Sequence, residues 1–135
     1  MNYVFRLTHG QDLRREIIEF CKQHNIEAGI VKCGVGCLCE ARYRLADGES
    51  VIHEKNKYEI VSLMGTVSKE DCHIHISLGG EDGKVVGGHL KYGSLVGSTA
   101  EVCIEDLEKY IFTREFDERT GYDELVVSEK KSGSR

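Results

Sequence analysis

Residues 72–90 read CHIHISLGGEDGKVVGGHL, and the rest of the chain is organised around this stretch. Polar and apolar side chains alternate in its first half, which predicts a strand with His73 and His75 on the same face. The acidic, glycine-flanked turn at 81–83 predicts a hairpin whose return strand brings His89 alongside His75. Three imidazoles on one sheet face suit a metal ion.

The histidine pattern predicts a divalent metal site, with zinc as the favoured ion. Neutral imidazole is the commonest metal ligand, and Zn²⁺ prefers about four ligands. Glu101, in the otherwise apolar segment TAEVCI, is a candidate fourth ligand or acid/base group, with a solvent molecule as the alternative ligand. Simpler interpretations stay open: the histidines cover a solvated sheet face or form hydrogen bonds at a subunit contact, and Glu101 points outward from an edge.

Outside the hairpin, the pattern predicts one helix at 11–24 and a series of short strands. Apolar side chains recur at helical spacing from Leu13 to His24, and Asp12 is placed in the first turn, where it suits the helix dipole. Besides the hairpin, strands are predicted at 2–7, 28–33, 37–45, 50–54, 57–67, 95–104, 110–116 and 124–128. Short connections between them favour a mainly antiparallel sheet in a single α+β domain.

Composition limits the classes of function. The chain has 135 residues and a net charge of −5. Residues 105–129 contain nine acidic and three basic side chains. This excess of negative charge argues against nonspecific electrostatic binding of nucleic acid by the whole surface. No apolar run approaches the roughly 20 residues that span a bilayer, and no signal peptide is visible, so the cytoplasm is the predicted location. The six cysteines are then expected to be reduced thiols, with Cys37 and Cys39 a minor metal-binding alternative.

Four segments resemble one known family. The runs YEIVSLMGTV, HIHISLGGEDGKVVGGHL, LVGSTAEVCI and REFDERTGYDEL are similar to the plant and prokaryote conserved (PPC) domain. The resemblance covers roughly residues 3–127. It predicts a PPC domain at 1–127 followed by a disordered polar tail at 128–135.

The resemblance implies further properties that the residue pattern alone does not give. It implies a curled antiparallel sheet, a homotrimer, and a fold similar to acetolactate decarboxylase, a zinc enzyme with a histidine cluster. His73, His75 and His89 match the family histidines, which favours a metal-binding protein with a small-molecule ligand or an unassigned metal-dependent enzyme. In the plant proteins the segment matching KYEIVS contributes to partner contacts, and here that segment is Lys57, Tyr58, Glu59, Ile60, Val61 and Ser62.

The same resemblance implies a second class of function, because bacterial members are often described as DNA-binding. Plant members carry an Arg-Gly-Arg-Pro hook that enters the minor groove. This chain contains no proline and no such hook. A DNA-associated regulatory role is therefore the alternative prediction, without a visible mechanism.

Overall fold

The protein is an α+β domain with one helix near its N-terminus, as the sequence predicts. A computed structural model describes residues 1–131. In chain order the elements are β1 (Asn2–Thr8), α1 (Leu13–Gln23), β2 (Gly29–Arg44), β3 (Val51–Val67), β4 (Cys72–Gly79), β5 (Val85–Leu90), β6 (Leu95–Asp106), β7 (Tyr110–Asp117) and β8 (Tyr122–Glu129).

Six strands form one antiparallel sheet in the order β1-β6-β2-β3-β4-β5, and β2 also pairs with β5. That extra pairing closes β2, β3, β4 and β5 into a ring, so the sheet curls around an apolar interior. The β7–β8 hairpin forms a separate two-stranded sheet. No helix in residues 1–131 is both long enough and apolar enough to cross a membrane.

Two strands are longer than predicted. The segments predicted at 28–33 and 37–45 are one continuous strand, β2, and those at 50–54 and 57–67 are likewise one strand, β3. Residues 34–36, between the two predicted segments, continue the strand, and register shifts interrupt the pairing of β2 with β6 on either side of them. Gly36 makes this possible because its φ of 144° is one that other residues rarely adopt. These register shifts are β-bulges, which let β2 and β3 bend while each continues as one strand.

The helix packs one face into the sheet, and its N-terminus is capped. Asp12 is the N-cap rather than a first-turn residue, and its carboxylate accepts a hydrogen bond from the backbone N–H of Arg15 at 3.0 Å. Leu13, Ile17 and Cys21 of the predicted stripe are buried, whereas Phe20 is half-buried. Ile18, which the predicted stripe did not include, is also buried, and His24 at the end of the stripe is exposed, so the buried face is shifted from the predicted one.

The last strand passes the predicted end of the domain. β8 continues to Glu129, and Lys130 donates its backbone N–H to Lys109 O at 2.8 Å and pairs with Glu27 at 3.5 Å. The first residues of the predicted 128–135 tail thus belong to the β7–β8 hairpin. Residues 132–135 of that tail lie outside the described part of the chain.

Candidate metal centre

The β4–β5 hairpin places its histidines as the alternation predicts. His73 and His75 are exposed on the outer face of β4, while Ile74 and Ile76 are buried on its inner face. His75 pairs directly with His89 on β5. Side chains of directly paired residues lie on the same face of an antiparallel sheet, so His89 joins the other two histidines.

The three imidazoles form one compact group. One ligand atom from each of His73, His75 and His89 can be chosen so that all three lie within 4.8 Å of one another. Ring centroids are separated by 5.0, 5.1 and 5.7 Å. A tetrahedral ion with bonds of about 2.0 Å needs nitrogens about 3.3 Å apart, so small side-chain rotations would complete the geometry.

The electrostatic state of the cluster suits a metal. His73 is exposed at the surface of β4 but partly desolvated by its neighbours, and this desolvation, followed by the charge of neighbouring His75, lowers its pKa. Burial, followed by the charges of His73 and Arg44, lowers the pKa of His89 to about 4. Both imidazoles are therefore neutral at pH 7, which is the form that binds metal.

His89 also carries a polar atom without a protein partner. Its Nδ1 is buried and accepts or donates no hydrogen bond among the described residues. Buried polar atoms are nearly always paired, with protein, water or an ion. A metal ligand bond is one way to satisfy this nitrogen, and the donor set of three imidazoles fits a zinc-type ion.

Close packing of β3 against β4 depends on a glycine. Gly65 pairs with Ile74, between the pairs that join Thr66 to His73 and Met64 to His75. A Cβ atom on Gly65 would lie 2.1 Å from the carbonyl oxygen of His73. Only glycine allows this approach, which fixes the backbone from which His73 and His75 project.

Basic side chains that the sequence reasoning missed surround the cluster. Arg44 on β2 pairs directly with His89, and Lys91 follows His89 by two residues. Two of the three cluster histidines, His73 and His89, line a cavity of about 410 Å³. Charged side chains from several elements also line this cavity. These charged side chains are Arg14, Arg44, Asp71, Lys91, Arg114, Asp123 and Glu124. The i, i+2 spacing of His89 and Lys91 was visible in the sequence, but the β2–β5 pairing was not.

Glu101 is not brought to the histidines. It is exposed on β6, where it pairs with Arg6 of β1 and Val35 of β2. In the sheet, β2 and β3 lie between β6 and β4. Its role as an acid/base group or ligand stays a prediction, and the group of three potential ligands does not include it.

The predicted partner segment lies on β3 and divides between the two faces of the sheet. Tyr58 and Ile60 are buried, and the Tyr58 hydroxyl donates to Glu54. Exposed members are Lys57, Glu59, Val61 and Ser62. Val61 and Ser62 both face outward because a register shift falls between Ile60 and Ser62.

All six cysteines are free thiols, and none of them belongs to the group of three potential metal ligands, although Cys72 lines the same cavity as His73 and His89. Cys37 Sγ lies 3.0 Å from Ser98 Oγ, and Cys39 Sγ lies 3.7 Å from Leu95 O. Hydrogen bonds from Ser98 lower the pKa of Cys37. Within residues 1–131 these thiols form no group of three potential metal ligands.

Comparison with known proteins identifies the family. A family model described as the Plants and Prokaryotes Conserved (PCC) domain matches residues 1–108. The chain belongs to the PCC domain family. The match confirms the resemblance stated above, and it ends before β7, so the β7–β8 hairpin lies outside it.

Curated relatives contain the PCC region within much longer chains. This protein is 38% identical over 125 residues to the bifunctional protein GlmU of Synechococcus sp. strain JA-3-3Ab. The aligned region covers 93% of this chain but 20% of that relative, so the chain spans about one fifth of its length.

Solved structures share the fold of this chain. A hypothetical protein from Salmonella cholerae-suis superposes with a TM-score of 0.94 at 29% identity, covering 97% of this chain and 95% of that one. The metal-containing protein AF0104 from Archaeoglobus fulgidus superposes with a TM-score of 0.77 at 32% identity, covering 93% of each chain.

Proposed function

We propose that this PCC domain protein binds a divalent metal, most favourably Zn²⁺, through His73, His75 and His89, and that the site serves a small-molecule ligand. The observation that carries the proposal is the group of three potential imidazole ligand atoms within 4.8 Å. The buried Nδ1 of His89, which has no protein partner, supports it. So does the metal content of the Archaeoglobus relative, as that protein is described.

A bound ion would lie beside the cavity that His73 and His89 line. Such an ion supplies a Lewis acid or a bound hydroxide. The chain contributes a rigid hairpin that holds the imidazoles on one face and keeps two of them neutral. The homotrimer and the cytoplasmic location belong to the same proposal and stay predictions.

The first test measures metal content in protein purified without a nickel column and without a histidine tag. We expect about one equivalent of metal per chain after incubation with Zn²⁺ and dialysis. His75→Ala removes one of three ligands, so we expect its Zn²⁺ affinity to fall by at least about tenfold. His53→Ala is the matched control, because His53 is also an exposed strand histidine but contacts Glu40 instead of the cluster.

Two results would contradict the metal site. One is wild-type protein that takes up no metal, and the other is His75→Ala protein that binds Zn²⁺ as tightly as His53→Ala protein does. DNA titrations at several salt concentrations, run beside the metal measurement, test the alternative. A metal-free protein whose DNA affinity falls steeply with salt would favour the DNA-associated role.

A further inference from the structure

Two basic side chains flank the histidine cluster in fixed positions. Arg44 pairs directly with His89 across β2 and β5, which places both side chains on one face. Lys91 follows His89 by two residues, and its backbone N–H bonds to Arg42 O at 3.0 Å, so the extended pairing continues past β5. Arg44 and Lys91 both line the cavity that His73 and His89 also line.

Neither of these two cations forms an ion pair within 4.0 Å of a carboxylate among the described residues, although, after hydrogen bonds from Ser50, the charge of Arg44 helps to lower the pKa of nearby Asp47. The Arg44 guanidinium donates to Gly48 O at 3.4 Å, which leaves most of its N–H groups available. Lys91 takes part in none of the ion pairs of residues 1–131.

The other two cations of the cavity are already paired. Arg14 lies 3.2 Å from Asp71, and Arg114 lies 3.9 Å from the same carboxylate. Arg14 also stacks over the Tyr92 ring at 4.3 Å. Arg14 and Arg114 are therefore held by contacts within the protein, whereas Arg44 and Lys91 are available to bind a ligand.

The charge of the cavity therefore favours an anion. Four basic and three acidic side chains line it, and a divalent ion at the neutral histidines would add two positive charges. The protein as a whole carries a net charge of −5, so this local excess is opposite in sign to the rest of the molecule. Guanidinium and ammonium groups beside a metal are suited to the oxygens of a carboxylate or phosphate group.

We propose that Arg44 and Lys91 bind the carboxylate or phosphate group of a small anionic ligand held at the histidine cluster. This inference rests on the proposed metal site and adds the chemical class of its ligand. Arg44, across from His89 on β2, offers a planar fork to two oxygens, and Lys91, two residues after His89 in the chain, offers a point charge.

The test uses protein loaded with Co²⁺ and freed of excess metal, because the visible spectrum of Co²⁺ reports anions near the ion. Inorganic phosphate and acetate are titrated separately at constant ionic strength, and the tighter of the two assigns the ligand group. We expect Arg44→Gln and Lys91→Gln each to weaken the tighter anion by at least fivefold while the Co²⁺ content stays at the wild-type level.

The control is Lys55→Gln, because Lys55 is an exposed lysine of β3 that does not line the cavity. We expect its anion affinity to stay within twofold of wild type. Metal-loaded protein that binds neither anion, or that binds them equally well in wild-type, Arg44→Gln and Lys91→Gln forms, would overturn the inference and leave the metal site standing. A wild-type protein that takes up no Co²⁺ would overturn both the anion-binding inference and the proposed metal site. Lys91→Gln keeps the test decisive if Arg44→Gln does not fold.

Discussion

At the scale of single residues, the candidate site depends on a position that carries no functional group. Gly65 on β3 lies directly beside Ile74 of β4, and a Cβ atom there would come within 2.1 Å of His73 O and 2.7 Å of Ile74 Cα. Both neighbours are backbone atoms, so they cannot turn aside as the end of a flexible side chain can. Gly65 therefore sets the spacing between β3 and β4. That spacing in turn determines where His73 and His75 lie.

Gly65→Ala is expected to destabilise the protein by about 2 kcal/mol or more, because the methyl group forces β3 and β4 apart. It should also weaken Zn²⁺ binding, since His73 moves with its backbone. Urea unfolding and a Zn²⁺ titration measure the two effects.

The matched control for Gly65→Ala is Gly79→Ala at the far end of β4. A Cβ there would meet the Val61 side chain at 3.2 Å, and that side chain can move. A Gly65→Ala protein as stable as Gly79→Ala protein would show that the strands tolerate the methyl group.

At the scale of elements, the helix and the connection that carries Lys91 are joined by one side chain. Asp12 caps α1 through Arg15 N and, with its other oxygen, accepts the backbone N–H of Gly93 at 2.7 Å. Leu13 N also bonds to Ser94 O at 2.9 Å. The start of the helix thus holds the segment between β5 and β6, next to the candidate anion site.

Asp12→Ala is expected to lower the free energy of unfolding by about 2 kcal/mol, because it removes the cap and leaves the Gly93 N–H without this acceptor. Urea denaturation at pH 7 measures the change. Glu19→Ala on the same helix is the control, since it removes a surface pair with Lys22 at 3.5 Å and should cost less than about 0.5 kcal/mol. Equal costs for the two variants would argue that the cap contributes nothing.

At the scale of the whole molecule, the sheet exposes apolar side chains, one of which lies beside the cluster. Val35, Val61 and Met64 are 57, 59 and 65% exposed. Val61 belongs to the predicted partner segment, and Met64 pairs with His75. Exposed apolar groups on a strand face favour burial in an assembly, which agrees with the predicted homotrimer.

Light scattering is expected to give a mass of about three times 15.2 kDa for the wild-type protein. Val61→Asp places a charge in the predicted interface and should shift the protein toward monomer at micromolar concentration. Val127→Asp is the control, because Val127 is 52% exposed on β8 and lies outside the partner segment. A monomeric wild-type protein, or equal masses for the two variants, would contradict the trimer or its predicted face.

Local features of this fold could be predicted from the sequence, and long-range ones could not. The register of His75 with His89 follows from alternation and one tight turn within 19 residues, and the structure confirms it. The bulges that lengthen β2 and β3 depend on how the whole sheet coils, which no short window contains. The pairing of Arg44 with His89 depends on ring closure between segments far apart in the chain. The cluster was therefore predictable, while its basic neighbours became visible with the structure.

Ring closure has a consequence for motion. β2 and β5 pair through two residue pairs, Tyr43 with Leu90 and Arg44 with His89, followed by one backbone hydrogen bond from Lys91 to Arg42, whereas β4 and β5 pair through five residue pairs. Short pairings open at lower free energy than long ones, so this junction is expected to separate first. Opening would carry Arg44 away while the three histidines stay together on their own hairpin. Release of an anion and release of the metal would then proceed on different timescales.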